Sequence, residues 1–133
     1  MFNPCDKIIY MKNTLISVVI PCYGSENTIE EVVINTIKTL NKRKNKYEII
    51  LINDSSPDNV WSKIVKLHNN YPRIITGINF TKNFGQHAAV MAGYKEAAGG
   101  VVVIVFTIAR LTVNPPKQRS NNANIKYICR LYY

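Results

Sequence analysis

The segment Tyr47-Glu48-Ile49-Ile50-Leu51-Ile52-Asn53-Asp54-Ser55-Ser56-Pro57-Asp58 decides the fold of this 133-residue chain. Its apolar, β-branched run from Tyr47 to Ile52 predicts a buried strand, and the run stops at a carboxylate, two serines and a proline. A strand that delivers an acid to its carboxyl end, just ahead of a helix, is how open α/β sheets build ligand crevices. The same design recurs on either side. Leu15 to Ile20 reads as a strand closed by Pro21, with a loop over Cys22 to Ser25. A helix follows from near Asn27, with Glu30 completing a capping box and Ile29, Val32, Val33, Thr36, Ile37 and Leu40 on one face. Beyond the segment, Pro57 suits the first turn of a second helix, whose stripe is Val60, Trp61, Ile64, Val65, Leu67 and His68. Ile74 to Phe80 predicts a third strand, weakened by Gly77. Then come a loop over Thr81 to Gly85, a small-residue helix from Gln86 to Ala98 and a fourth strand from Val101 to Phe106. Strands alternating with helices imply an α/β, Rossmann-like fold: a mostly parallel sheet with helices on both faces.

Composition bounds the classes. Hydrophobic residues make up 47% and charged residues only 19%, which excludes a disordered chain. The longest apolar run, Val101 to Phe106, is far too short to span a bilayer, so no transmembrane segment is expected. Residues 1–13 lack a secretory apolar region. Cys5, Cys22 and Cys129 show no metal spacing and no paired framework, which suits a reducing, cytoplasmic setting. The net charge of +9 is uneven, because residues 97–133 hold five basic and no acidic residues. Such a tail fits an anionic partner or a solvated surface. No aromatics interleave with the arginines, so no nucleic acid is expected.

Three strand ends converge if the sheet forms: Pro21-Cys22-Tyr23-Gly24-Ser25-Glu26, Asn53-Asp54-Ser55-Ser56 and Lys82-Asn83-Phe84-Gly85-Gln86-His87. A nucleotide needs a flat surface for its base, an acceptor for its donors, and cations or free N–H groups for its phosphates. Tyr23, Asp54, Lys82 and the helix start after Gly85 supply these in turn. Each has a plainer role available: a cap for Asp54, a packed loop aromatic for Tyr23, a left-handed turn for Gly85, a solvated charge for Lys82. His87 reads more readily as a capping or packing histidine than a catalytic one, and Trp61 as core. There is no G-x-G-x-x-G after the first strand and no P-loop.

In order and spacing, Ser17-Val18-Val19-Ile20-Pro21-Cys22-Tyr23, Ile52-Asn53-Asp54-Ser55-Ser56-Pro57-Asp58 and Lys82-Asn83-Phe84-Gly85-Gln86-His87-Ala88-Ala89-Val90-Met91-Ala92-Gly93 resemble the family 2 glycosyltransferases. The nearest branch is the dolichol-phosphate mannose synthase and polyprenyl-phosphate sugar transferase group. The resemblance covers about residues 15–106 and implies a partial GT-A fold. It also implies transfer of a sugar from a UDP- or GDP-linked donor to a polyprenyl-phosphate or saccharide acceptor, at the cytoplasmic face of a membrane in many relatives. By match, Pro21, Tyr23, Asp54, Lys82 and Gly85 face the nucleotide, with Glu26, Asn53 and Asn83 as secondary candidates. No catalytic residue is assigned.

The resemblance breaks after the fourth strand. Relatives place Asp-x-Asp there to hold Mg²⁺ or Mn²⁺, whereas this chain reads Thr107-Ile108-Ala109-Arg110-Leu111-Thr112-Val113 and has no carboxylate after Glu96. No metal site is therefore expected. The expected organisation is an N-terminal extension (1–14), the nucleotide-binding half of a transferase domain (15–106) and a divergent, poorly ordered tail (107–133). A frame-disrupted or truncated gene, weakly active or inactive, is the corresponding expectation. The alternative is a non-catalytic nucleotide binder or a basic partner-binding protein.

Overall fold

A computed structural model describes residues 14–107 together with the backbone of 128–132. Among the described residues five strands, β1 (Ile16–Cys22), β2 (Tyr47–Asn53), β3 (Ile75–Asn79), β4 (Val101–Phe106) and β5 (Ile128–Tyr132), form one sheet in the order β3-β2-β1-β4-β5. Every ladder is parallel. Three helices, α1 (Ile29–Arg43), α2 (Val60–Asn70) and α3 (Gln86–Glu96), connect β1 through β4.

Alternation along the strands sorts the core into two layers. Ile16, Val18, Ile20, Ile49 and Leu51 pack with Val33 and Ile37 of α1 and Val60 and Ile64 of α2. Val19, Ile50, Ile52, Val102 and Ile104 form the opposite layer with Ala89, Val90 and Tyr94 of α3. Because both faces are covered, β1 and β4 are apolar almost throughout rather than alternating. The small residues of α3 let it lie close. A Cβ at Gly93 would fall on Val19 and within 2.9 Å of Ile52 Cδ1, so the helix approaches the sheet at a distance only glycine permits.

Several boundaries differ from expectation for physical reasons. β1 continues through Pro21, which pairs with Ile52. The Ile16 amide and the Cys22 carbonyl both bond toward β2, so alternation turns the N-side of Pro21 toward β4. The β1–β4 ladder has already ended at Val19↔Ile104, so proline leaves no ladder bond unmade. α1 begins at Ile29 after a turn, without a side-chain cap; Glu30 instead meets Lys63 and Lys66 of α2, both at 3.1 Å. α2 begins at Val60, leaving Pro57 in the loop before it. Val65, assigned to its buried stripe, is exposed. Gly77, read as a weakness in β3, makes room for α2: a Cβ there would meet Ile64 Cγ2 at 2.8 Å.

The strand β5 falls within residues 107–133, where a poorly ordered tail is expected. Its parallel pairing from Val102↔Ile128 to Phe106↔Tyr132 covers an edge of β4 that would otherwise present unpaired backbone groups. The expectations for residues 1–13 and 108–127 lie outside the described residues. Among the described residues, no helix is long and apolar enough to cross a membrane.

Candidate functional site

Strand order determines where a crevice opens. From β1 the chain moves to β2 and β3 on one side, and β4 then returns to the other side of β1. At such a reversal the connections leave in opposite directions, and space remains beyond the carboxyl ends of the two strands. A cleft of about 230 Å³ lies there. β1 and its end contribute Pro21, Cys22 and Tyr23, and the end of β2 contributes Asp54. The loop into α3 adds Asn83, Gly85 and Gln86, and Phe106 and Thr107 close the β4 side.

Asp54 is 3% exposed and is held by both neighbouring loops. Its N–H donates to the Cys22 carbonyl at 3.2 Å, and its Oδ1 accepts the Phe84 N–H at 2.8 Å. The acid thus ties the third loop to the sheet instead of capping the turn that follows it. Tyr23, half exposed, stands on the rim. Gly85 has φ +91° and opens α3 without a side-chain cap, while its N–H donates to Asn83 Oδ1 at 2.9 Å. That left-handed backbone needs glycine, and the helix presents its N-terminal amides and the positive end of its dipole at the cleft wall. Cys22 is a free, fully buried thiol. Burial pushes it up to about 12, so near neutral pH it is an uncharged wall rather than a nucleophile.

The candidate residues thus divide. Pro21, Tyr23, Asp54, Asn83 and Gly85 line one cleft. Lys82 does not line it: the exposed ammonium lies 5.0 Å from the centroid of Phe84, whose ring meets Phe80 edge to face at 5.4 Å. Asn53 is buried and satisfied, donating to Asn79 Oδ1 at 2.8 Å and accepting the Ser56 N–H at 3.0 Å. Glu26 turns to the neighbouring loop, where Oε2 accepts the Asn59 N–H at 3.2 Å. His87 is exposed and outside the lining, and Trp61 packs partly buried against the core. Cys22, Gln86, Phe106 and Thr107 line the cleft without having been singled out from sequence. The signal was present for the last two, since they end a strand beside β1.

A divalent cation needs several oxygen ligands. Among the described residues no three His, Cys, Asp or Glu side chains come together, and Asp54 is the single carboxylate of the cleft lining. The described residues do not fit a metal.

The family model for Glycosyl transferase family 2 matches residues 17–107. An undecaprenyl-phosphate 4-deoxy-4-formamido-L-arabinose transferase of Proteus mirabilis is 33% identical over 109 residues, covering 82% of this chain and 32% of that protein. A dolichol-phosphate mannosyltransferase of Pyrococcus furiosus is 38% identical over 93 residues, covering 68% of this chain and 24% of that protein. The chain therefore spans about a third or less of the length of these relatives. Among solved structures, a mannosyltransferase from Pyrobaculum calidifontis, in complex with GDP-Man and Mn²⁺, superposes with a TM-score of 0.63 at 21% identity. That match covers 73% of this chain and 28% of the other, and it shows a shared fold.

Proposed function

This chain belongs to glycosyl transferase family 2, and on that premise we propose that its cleft binds the nucleoside diphosphate of a UDP- or GDP-linked sugar. The observation that carries the reading is the convergence of Tyr23, Asp54 and the start of α3 on one crevice at the reversal of strand order. Tyr23 offers a face to the base, Asp54 an acceptor for a base N–H, and the amides after Gly85 a cradle for phosphate oxygens. The acceptor class is a polyprenyl phosphate or a saccharide, met at the cytoplasmic face of a membrane; the names of the relatives support a polyprenyl-phosphate acceptor.

These 133 residues bind nucleotide and turn donor over slowly or not at all. A departing diphosphate needs its charge met, and the sequence offers no carboxylate after Glu96 to hold a cation there. Losing that stabilisation costs several kcal/mol, on the order of a thousandfold in rate. Calorimetric titration with UDP and GDP, with and without Mn²⁺, tests the reading. Saturable binding of either nucleotide with an affinity unchanged by Mn²⁺ is expected. Absence of binding in every condition would remove the proposal, and donor turnover abolished by Asp54→Ala would overturn the predicted inactivity.

A further inference from the structure

The loops after β1 and β2 are joined by hydrogen bonds that no cleft-lining side chain makes. The Gly24 N–H donates to Ser56 Oγ at 2.8 Å, and the Ser56 hydroxyl donates onward to Asp58 Oδ1 at 2.6 Å. Asp58 Oδ2 accepts the Glu26 N–H at 2.9 Å, while Oδ1 also accepts the Val60 N–H at 3.2 Å. Glu26 Oε2 returns the contact by accepting the Asn59 N–H. One carboxylate, one hydroxyl and one glutamate therefore lock two loops at three points, from opposite directions. Two backbone positions inside the clasp are left-handed, Gly24 at φ +62° and Ser55 at φ +53°. A serine holds such a φ only when its surroundings impose it, here by the adjoining Ser56 amide on Asn53 Oδ1.

We propose that Ser56 and Asp58 are positioning residues: through the Gly24 amide they hold Tyr23 at the cleft rim, so that its ring forms a fixed wall for the nucleotide base. The inference rests on the nucleotide reading above. Tyr23 is the residue immediately before Gly24 and is itself half exposed. Among the described residues its side chain makes no hydrogen bond, ion pair or ring contact, so the backbone it sits on does most to set its place. Ser56 and Asp58 do not line the cleft, so the proposed role runs through Gly24 and the loop rather than through the cleft wall. Ordering an exposed aromatic before binding removes a cost that the ligand would otherwise meet.

Two measurements test this, one without ligand. In Ser56→Ala, amide hydrogen exchange at Gly24 and Glu26 should quicken by about tenfold while Ile20 and Leu51 stay protected, since a lost hydrogen bond is worth roughly 1 kcal/mol or somewhat more. Ser56→Thr keeps the hydroxyl and should restore protection. In the ligand arm, affinity for UDP or GDP should fall by about fivefold to tenfold in Ser56→Ala and Asp58→Asn, with affinity for inorganic diphosphate within twofold of wild type. Unchanged exchange at Gly24 in Ser56→Ala would overturn the clasp, whatever the nucleotide does. Equal losses for nucleotide and diphosphate would overturn the base-wall role. A wild-type chain that binds no nucleotide would instead remove the functional reading, leaving the exchange arm to decide the clasp.

Discussion

Asp54 shows how one side chain can serve both architecture and recognition. It is nearly inaccessible, yet belongs to the cleft lining and holds the Phe84 amide. Asp54→Asn retains an oxygen for that amide but loses the charge and turns the second acceptor into an NH2 donor; Asp54→Ala removes every side-chain acceptor. Titration should show nucleotide affinity falling about tenfold or more in Asp54→Ala, with a smaller loss in Asp54→Asn. Two other groups give pH signatures. Burial works against the Asp58 carboxylate, but donors from Ser56, Glu26 and Val60 outweigh it and hold the group below its ordinary value of 3.8. Its contribution is therefore complete above the unfolded value and is lost as pH falls through the lower, folded one. The stability difference between wild type and Asp58→Asn, followed by urea unfolding, should shrink below about pH 4. Cys22 behaves in the opposite sense. Its raised value favours the protonated fold below the ordinary value of 9.0, and that advantage fades as pH climbs toward 12. Alkylation mapped by mass spectrometry should leave Cys22 unmodified in the native state near pH 8 and label it after denaturation.

Among the elements, α3 is the most constrained and the least amphipathic. Its buried residues are Ala89 and Gly93, with Val90 and Tyr94 packed at the side, so close approach replaces much of the bulk. Gly93→Ala should destabilise by about 1–3 kcal/mol through overpacking against Val19 and Ile52, read as a fall in thermal midpoint. The α1–α2 contact through Glu30 lies on an open surface, and Glu30→Gln should leave the midpoint unchanged within error. Element identity was legible from sequence because each run carried one clear period: β-branched blocks for β1, β2 and β4, three-and-four spacing for α1 and α2. Boundaries were less legible. Whether Pro21 ends a strand depends on where the neighbouring ladder stops, and whether Asn27 starts a helix depends on the turn that joins Ser25 to Ile29. The first fact is tertiary; the second is a local turn that a capping-box pattern does not distinguish from a helix start. The strand at Ile128–Tyr132 was missed for a tertiary reason as well, since its place is set by the open edge of β4.

At the scale of the molecule, the cleft was legible as a meeting of strand ends, and the structure brings five of the eight candidate residues into it. Lys82, Asn53 and Glu26 face elsewhere because short-range partners claim them: an aromatic ring, an asparagine pair and a neighbouring loop. Adjacency in a motif does not say which way a side chain turns. The order β3-β2-β1-β4-β5 has one more consequence, for how the chain reaches this state. Its first described strand is also the central one, and Ile16 pairs with Tyr47 on one side and Val101 on the other. During synthesis, one flank of that hydrophobic ribbon stays bare until the last of these segments leaves the ribosome. With every pairing this remote, refolding should take milliseconds to seconds in stopped-flow fluorescence. The nascent chain thus exposes an apolar strand long before the cleft exists.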